Sequence, residues 1–167
     1  LNNSNNLKLK KSDIVRFINS NSDKFKNTNI DEVFINEKVP FGFHYINRNA
    51  NLNPEKNPVG HGQHVSGIAV GNEGLVMNKY KFKGVAPNAQ LLTLNVFANE
   101  STGSSYFLEA LNDAVYLRAD VVNMSFGATK ATEKGYNSAD KKVKELVNFI
   151  SKKTGTTVVI AAGNDGA

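Results

Sequence analysis

The chain has 167 residues, of which 40% are hydrophobic and 21% are charged, and it contains no cysteine. This is enough chain for one domain with an apolar core, and its composition is not that of a disordered segment. The lack of cysteine excludes disulfides and thiolate metal sites. No apolar run approaches the roughly 20 residues that a membrane-spanning helix needs.

The net charge of +5 is spread along the chain. Lysines concentrate only at residues 8–11 and 79–83. Neither cluster amounts to a nucleic-acid-binding module, so no nucleic-acid partner is expected. We assign the lysines to a solvated surface.

Residues 1–59 are expected to form a polar N-terminal segment with one short helix and one strand. Ser12 is suited to cap the helix, and the next apolar residues recur at helical spacing: Ile14, Val15, Phe17 and Ile18. Residues 19–36 are polar with little periodicity. Residues 39–46 alternate weakly and predict a strand at a surface, followed by a polar loop over 47–58.

Residues 60–167 show a sharper pattern. A helix is predicted from about His61 to Val70, with Val65, Ile68 and Ala69 on its inner face. Further helices are predicted from Ser104 or Ser105 to Arg118, and from Ser138 to a stop at Gly155; buried strands are predicted at 89–97, 121–125 and 156–162.

Apolar strands that alternate with helices are typical of an α/β fold, in which a parallel sheet is covered by helices on both faces. Functional groups of such folds gather just beyond the carboxyl ends of the strands. Residues 125–128 and 162–166 hold those positions here.

Two histidines, His61 and His64, lie three residues apart among glycines. A zinc pair on a helix usually has a spacing of four with a Glu between, and here Gly62 and Gln63 intervene. His44 is the only other histidine, and no third ligand is evident. No metal site is therefore expected.

Four segments, taken in order, resemble motifs of the subtilisin-like serine proteases. They are GHGQHVSGI at 60–68 (the histidine motif), GVAP at 84–87 (a turn into a strand), VNMSFG at 122–127 (a substrate-binding segment) and VVIAAGNDG at 158–166 (the oxyanion-hole segment). The resemblance implies that residues 60–167 are a partial subtilisin-like catalytic core.

The N-terminal stretches KSDIVRFIN and INEKVPFGFHY resemble the cell-envelope subtilases. These include the lactocepins and the complement-cleaving streptococcal peptidases. The resemblance implies a secreted protein or one displayed on a Gram-positive cell surface, with a protein or peptide as substrate and no cofactor.

Carried over by position, the resemblance makes His61 the general base and Asn164 the oxyanion donor. His64 would be a buried structural neighbour. The walls of the first specificity pocket would be formed by Ser125, Phe126 and Gly127 on one side and by Ala161, Ala162 and Gly163 on the other.

The catalytic Asp and Ser of the family have no match in the chain. Asp31 is rejected as the Asp, because neither a strand nor a glycine turn surrounds it. We expect the remainder of the same catalytic domain to carry both residues, the Asp shortly before Leu1 and the Ser further along the chain. The 167-residue piece alone is then expected to be inactive.

Two departures from the family pattern stand out. Gln63 replaces the usual Thr, and residues 71–83 are longer than simple members allow, so no calcium site is carried over. The alternative to a protease is a catalytically inactive subtilase-like binding or adhesion module. Retention of both His61 and Asn164 favours the enzyme.

Overall fold

The computed structural model describes residues 7–52, 60–76, 79–97, 104–126 and 138–162. The chain divides into two compact units, Leu1–Glu100 and Ser101–Ala167. The first unit contains α1 (Lys11–Ser20), α2 (Ile30–Val33), β1 (Phe41–His44), α3 (His61–Val70), β2 (Gly74–Val76), β3 (Tyr80–Phe82) and β4 (Leu92–Asn95). The second contains α4 (Ser104–Tyr116), β5 (Val121–Met124), α5 (Ser138–Lys153) and β6 (Thr157–Ile160).

An aromatic cluster forms the core of the first unit. The ring of Phe17 on α1 packs edge-on against Phe25 and Phe41, with centroid distances of 5.4 Å in both pairs. Phe25 packs against Phe43 at 4.9 Å, and Phe43 against Tyr45 at 5.2 Å. All five rings are buried, so this cluster fixes β1 against α1.

The expectation that residues 39–46 lie at a surface is wrong. All four residues of β1 are buried. Phe41 and Phe43 face the aromatic cluster, and the opposite face is closed because a Cβ at Gly42 would lie 2.5 Å from Cδ1 of Leu52 and 3.0 Å from Cδ1 of Ile35. Leu52 and Ile35 therefore pack directly on the strand at Gly42 and leave little room for a side chain there.

The start of α1 also differs from the prediction. The helix begins at Lys11, and its N-cap is Lys10 and not Ser12. The Asp13 carboxylate accepts a hydrogen bond from the Lys10 backbone N–H at 2.8 Å, which satisfies the helix end without a hydroxyl. Neither the short helix α2 nor the hairpin of β2 and β3 was predicted.

The carboxyl-terminal turn of α3 is bound to the segment that follows the hairpin. The backbone N–H groups of Gly84, Val85 and Ala86 donate to the carbonyls of Gly71, Ile68 and Ala69, at 2.9, 3.0 and 2.8 Å respectively. The last carbonyls of a helix have no partner within the helix. Residues 84–86 supply those partners, and we call this arrangement the α3 clamp.

Glycine at position 84 permits the clamp. A Cβ there would lie 2.4 Å from the Gly71 nitrogen and 2.9 Å from the Gly67 carbonyl oxygen. Both are backbone atoms that cannot rotate away, so no larger residue fits without separating the two segments.

The side chains of Lys38 and Gln90 link the residues that follow the α3 clamp to the chain just before β1. The Lys38 ammonium donates to the carbonyls of Pro87 and Ala89. The Gln90 side-chain amide donates to the carbonyls of Leu9 and Glu37, at 2.9 and 2.7 Å. The orientation of α3 is thereby linked to β1, and β1 pairs in parallel with β4 from Phe41 opposite Leu92 to His44 opposite Asn95.

The second unit packs two helices on a parallel strand pair. β5 and β6 pair from Val121 opposite Thr157 to Met124 opposite Ile160. Its core is formed by Leu111, Met124 and Ile150, and α5 ends before Gly155, whose φ of 74° lies in the left-handed region. The parallel strands and α/β class expected from the sequence are confirmed, as are the helices α3, α4 and α5 and the stop at Gly155.

Substitution of Gly84 by Ala tests the α3 clamp. We expect Gly84→Ala to lower the free energy of unfolding by about 2–3 kcal/mol, because the new methyl group overlaps backbone. Gly74→Ala is the matched control, since a Cβ at Gly74 meets nothing within 4 Å. Its effect should stay within about 0.5 kcal/mol. Equal effects of the two substitutions on urea unfolding would contradict the clamp.

Candidate functional site

His61 is the first residue of α3, and its side chain is exposed. Gly60 precedes it with φ 54° and ψ 26°, a left-handed conformation that turns the chain into the helix. The helix begins with the His64 N–H donating to the Gly60 carbonyl at 2.9 Å. The first turn of α3 contains no acidic residue, so α3 itself supplies no carboxylate to orient the imidazole.

The expectation that His64 is buried is wrong. Its side chain is exposed, and α3 contains no buried residue. Val65 and Ala69 on the predicted inner face are half-buried, and Ile68 is 48% exposed. The described part of the first unit contacts α3 mainly at its carboxyl end, through the α3 clamp. Instead His64 lines an open groove together with Gly60, Gln63, Gly67, Ile68 and Phe82.

The proposed pocket segments follow paired parallel strands. Ser125 and Phe126 follow β5, and Ala161 and Ala162 follow β6. The Ala161 N–H donates to the Met124 carbonyl at 3.1 Å, which continues the strand pairing. Since the strands are parallel, the structure brings both segments to the same edge of the second unit.

Contacts within the second unit position Ser125 and Phe126. The Asn123 side-chain amide donates to the Ser125 hydroxyl at 2.8 Å. The Phe126 ring packs edge-on against Phe107 of α4 with centroids 5.6 Å apart. The contact of Asn123 with Ser125 was not predicted from the sequence.

Three of the candidate site residues lie outside the described residues: Gly127, Gly163 and Asn164. Their roles stay predictions that rest on the motif resemblance.

Asp31 is engaged elsewhere. Its carboxylate pairs with the Lys11 ammonium, and its backbone N–H donates to the Asn29 side chain at 3.0 Å. Within the ranges that the structure describes, no three His, Asp or Glu side chains are grouped to hold a metal ion. No described helix is long and apolar enough to cross a membrane.

A model of the subtilase family matches residues 17–167. The chain belongs to the subtilase family. The match begins within α1 and includes both units, so the family assignment made from four motifs is confirmed over nearly the whole chain.

Among subtilase relatives, the PI-type proteinase of Lactococcus lactis subsp. cremoris is 36% identical over 157 residues. That alignment covers 91% of the chain and 8% of the relative. The C5a peptidase of Streptococcus pyogenes is 31% identical over 137 residues, or 80% of the chain and 11% of the relative. The chain thus spans about a tenth of the relatives it matches, and these are the two groups expected from the N-terminal stretches.

His44 is buried, and its burial changes the pKa of its imidazole ring. It ends β1, and its Nδ1 accepts a hydrogen bond from the Asn47 N–H at 3.3 Å. Burial lowers the pKa of His44 from its ordinary value of 6.5, because the charged ring loses solvation.

The free energy of unfolding should therefore depend on the protonation of His44. Above pH 6.5 the ring is neutral in both states, and as the pH falls through 6.5 the unfolded chain binds the proton more readily. We expect wild type to lose more stability than His44→Leu between about pH 7.5 and 5.5 in urea unfolding. The exposed His61 and His64 are common to both proteins, so parallel pH profiles would contradict this assignment.

Proposed function

We propose that this chain supplies the general base and one oxyanion donor to a serine endopeptidase that hydrolyses protein substrates. The observation that carries the proposal is His61, placed by Gly60 at the exposed first turn of α3 within a chain of the subtilase family. The relatives' names, proteinase and peptidase, support the reaction class.

The proposed role of His61 follows from the chemistry of acyl transfer. A serine hydroxyl is a weak nucleophile until a base takes its proton, and the same base then returns the proton to the leaving amine. An imidazolium at a helix N-terminus is disfavoured by the helix dipole, so a carboxylate must support its charge. Because α3 has no acid in its first turn, we assign that carboxylate to another part of the polypeptide.

The proposed role of the second unit is to hold the substrate and the oxyanion. Ser125 and Phe126 follow β5, and Ala161 and Ala162 follow its parallel neighbour β6. Exposed backbone at such an edge can pair with an extended substrate. Two residues beyond Ala162, Asn164 would donate its amide to the tetrahedral intermediate.

The partners of these groups are the Asp and Ser of the triad, which we assign to the remainder of the same catalytic domain. The likeness to the lactococcal and streptococcal relatives supports a secreted or cell-surface location. Acidic and nucleophilic groups reach His61 only when that longer polypeptide is folded around it.

Two substitutions in the full-length protein test these roles. We expect His61→Ala to lower kcat by about 10⁶ while leaving the fold intact, the scale of loss seen when subtilisin loses its base. Asn164→Ala should lower kcat by about 10²–10³, the loss measured when subtilisin loses such a donor. Hydrolysis of fluorescein-labelled casein under saturating conditions gives both values.

His64→Gln is the matched control, because His64 lies one turn from His61 on the same exposed helix. It should retain most of the wild-type rate. Undiminished hydrolysis by His61→Ala would refute the base assignment. A wild-type protein that binds casein without cutting it would instead favour the inactive binding module.

A further inference from the structure

The hairpin of β2 and β3 carries exposed charged and apolar side chains. Residues 79–83 read Lys-Tyr-Lys-Phe-Lys, and all five are exposed. Val76 pairs with Tyr80 and Leu75 with Lys81 in the antiparallel register. We call the two strands together with Lys79 and Lys83 the basic hairpin.

Two large side chains on the basic hairpin are more than half exposed. Leu75 is 60% exposed and Tyr80 is 59% exposed. Leu75 lies opposite Lys81, so one face of the hairpin combines a large aliphatic group with an ammonium group. Tyr80 pairs with Val76 on the other face, so each face of the hairpin carries an exposed apolar group next to the lysines.

The lysines of the basic hairpin lack carboxylate partners among the described residues. Lys79 instead lies 5.3 Å from the centroid of the Tyr80 ring. Glu73 is the one acidic residue between α3 and the clamp segment, where it is outnumbered by three lysines. Among the residues that the structure describes, the hairpin therefore presents a net positive charge to an approaching partner.

We propose that the basic hairpin is a docking surface for an extended protein segment in which acidic and apolar residues alternate. A two-stranded hairpin has outer edges whose backbone groups can pair with an added strand. Alternation in the bound segment would place carboxylates beside the lysines, on the face that also carries Leu75, and apolar side chains beside Tyr80 on the other face. From the sequence we assigned the lysines of residues 79–83 to a solvated surface. The proposal adds that this surface binds a specific partner.

The exposed apolar groups of the hairpin indicate whether its partner is a protein segment or a polyanion. A polyphosphate or anionic polymer would need only the ammonium groups, and it would leave Leu75 and Tyr80 exposed. A protein segment covers both kinds of group, so the observations favour a protein partner.

In the context of the proposed function, on which this role rests, the docked segment belongs to a protein substrate held away from the scissile bond. Binding there would raise the local concentration of the substrate. Docking itself requires no catalysis, and binding can be measured without it.

The experiment uses the longer protein carrying His61→Ala, so that no peptide is cleaved during the measurement. A fluorescein-labelled peptide that alternates Glu with Leu and Tyr is titrated by fluorescence anisotropy. Two further peptides replace every Glu by Gln, or every Leu and Tyr by Ser. Inorganic polyphosphate serves as the competing polyanion.

Substitutions K79Q, K81Q and K83Q together should weaken binding of the Glu/Leu/Tyr peptide about tenfold. The pair L75S and Y80S should weaken it by a similar factor. The control combines K141Q, K142Q and K144Q, which removes three exposed lysines from α5 and should leave Kd unchanged. Raised salt should weaken binding to the unsubstituted hairpin.

Equal Kd values for the hairpin and α5 triple variants would overturn the proposal. So would equally tight binding of the Ser-containing peptide together with no effect of L75S and Y80S, which would identify a polyanion site. Loss of casein hydrolysis bears on the proposed function alone, because the docking assay measures binding in a protein without its base.

Discussion

The position of α3 depends on three backbone hydrogen bonds that join the end of this helix to residues 84–86. They satisfy the terminal carbonyls of a helix that has no buried residue to hold it by packing. Gly84 admits the close approach, and Lys38 ties the same segment to the start of β1. These backbone hydrogen bonds therefore hold α3 in place. In most helices the packing of an apolar face has that role.

This attachment of α3 has a consequence for the proposed base. His61 lies at the opposite end of a 10-residue helix, about 15 Å from the clamp. A regular helix transmits the position of one end to the other, so a displacement of the clamp would also displace His61. This link is a physical reason for the GVAP segment (residues 84–87) to occur together with the histidine motif.

The sequence predicted most where periodicity extends over many residues. The bounds of α3 and the stop of α5 at Gly155 follow from capping and spacing, and both agree with the structure. Burial of β1 was missed because Gly42 and His44 resemble a solvent face, whereas Leu52 and Ile35 close over Gly42. The three-residue strands of the hairpin are too short to show a period.

For the candidate site, sequence motifs indicate His61, Ser125 and Phe126 as candidates, but they do not show what surrounds these side chains. Exposure of His64 depends on what packs on α3, and that is set by tertiary contacts and not by the motif. Asn123 lies in β5 and Ser125 directly follows that strand, so the bond between them depends on how the chain leaves the strand. Local spacing therefore identified the residues, and the fold determined their neighbours.

The most direct test of the central claim is covalent labelling of the full-length protein by a fluorophosphonate, read by intact-mass spectrometry. A serine reacts with this reagent when a base activates it, so the account predicts one adduct on wild type and none on His61→Gln in the same time. One adduct on both proteins at equal rates, or none on either, would contradict the account.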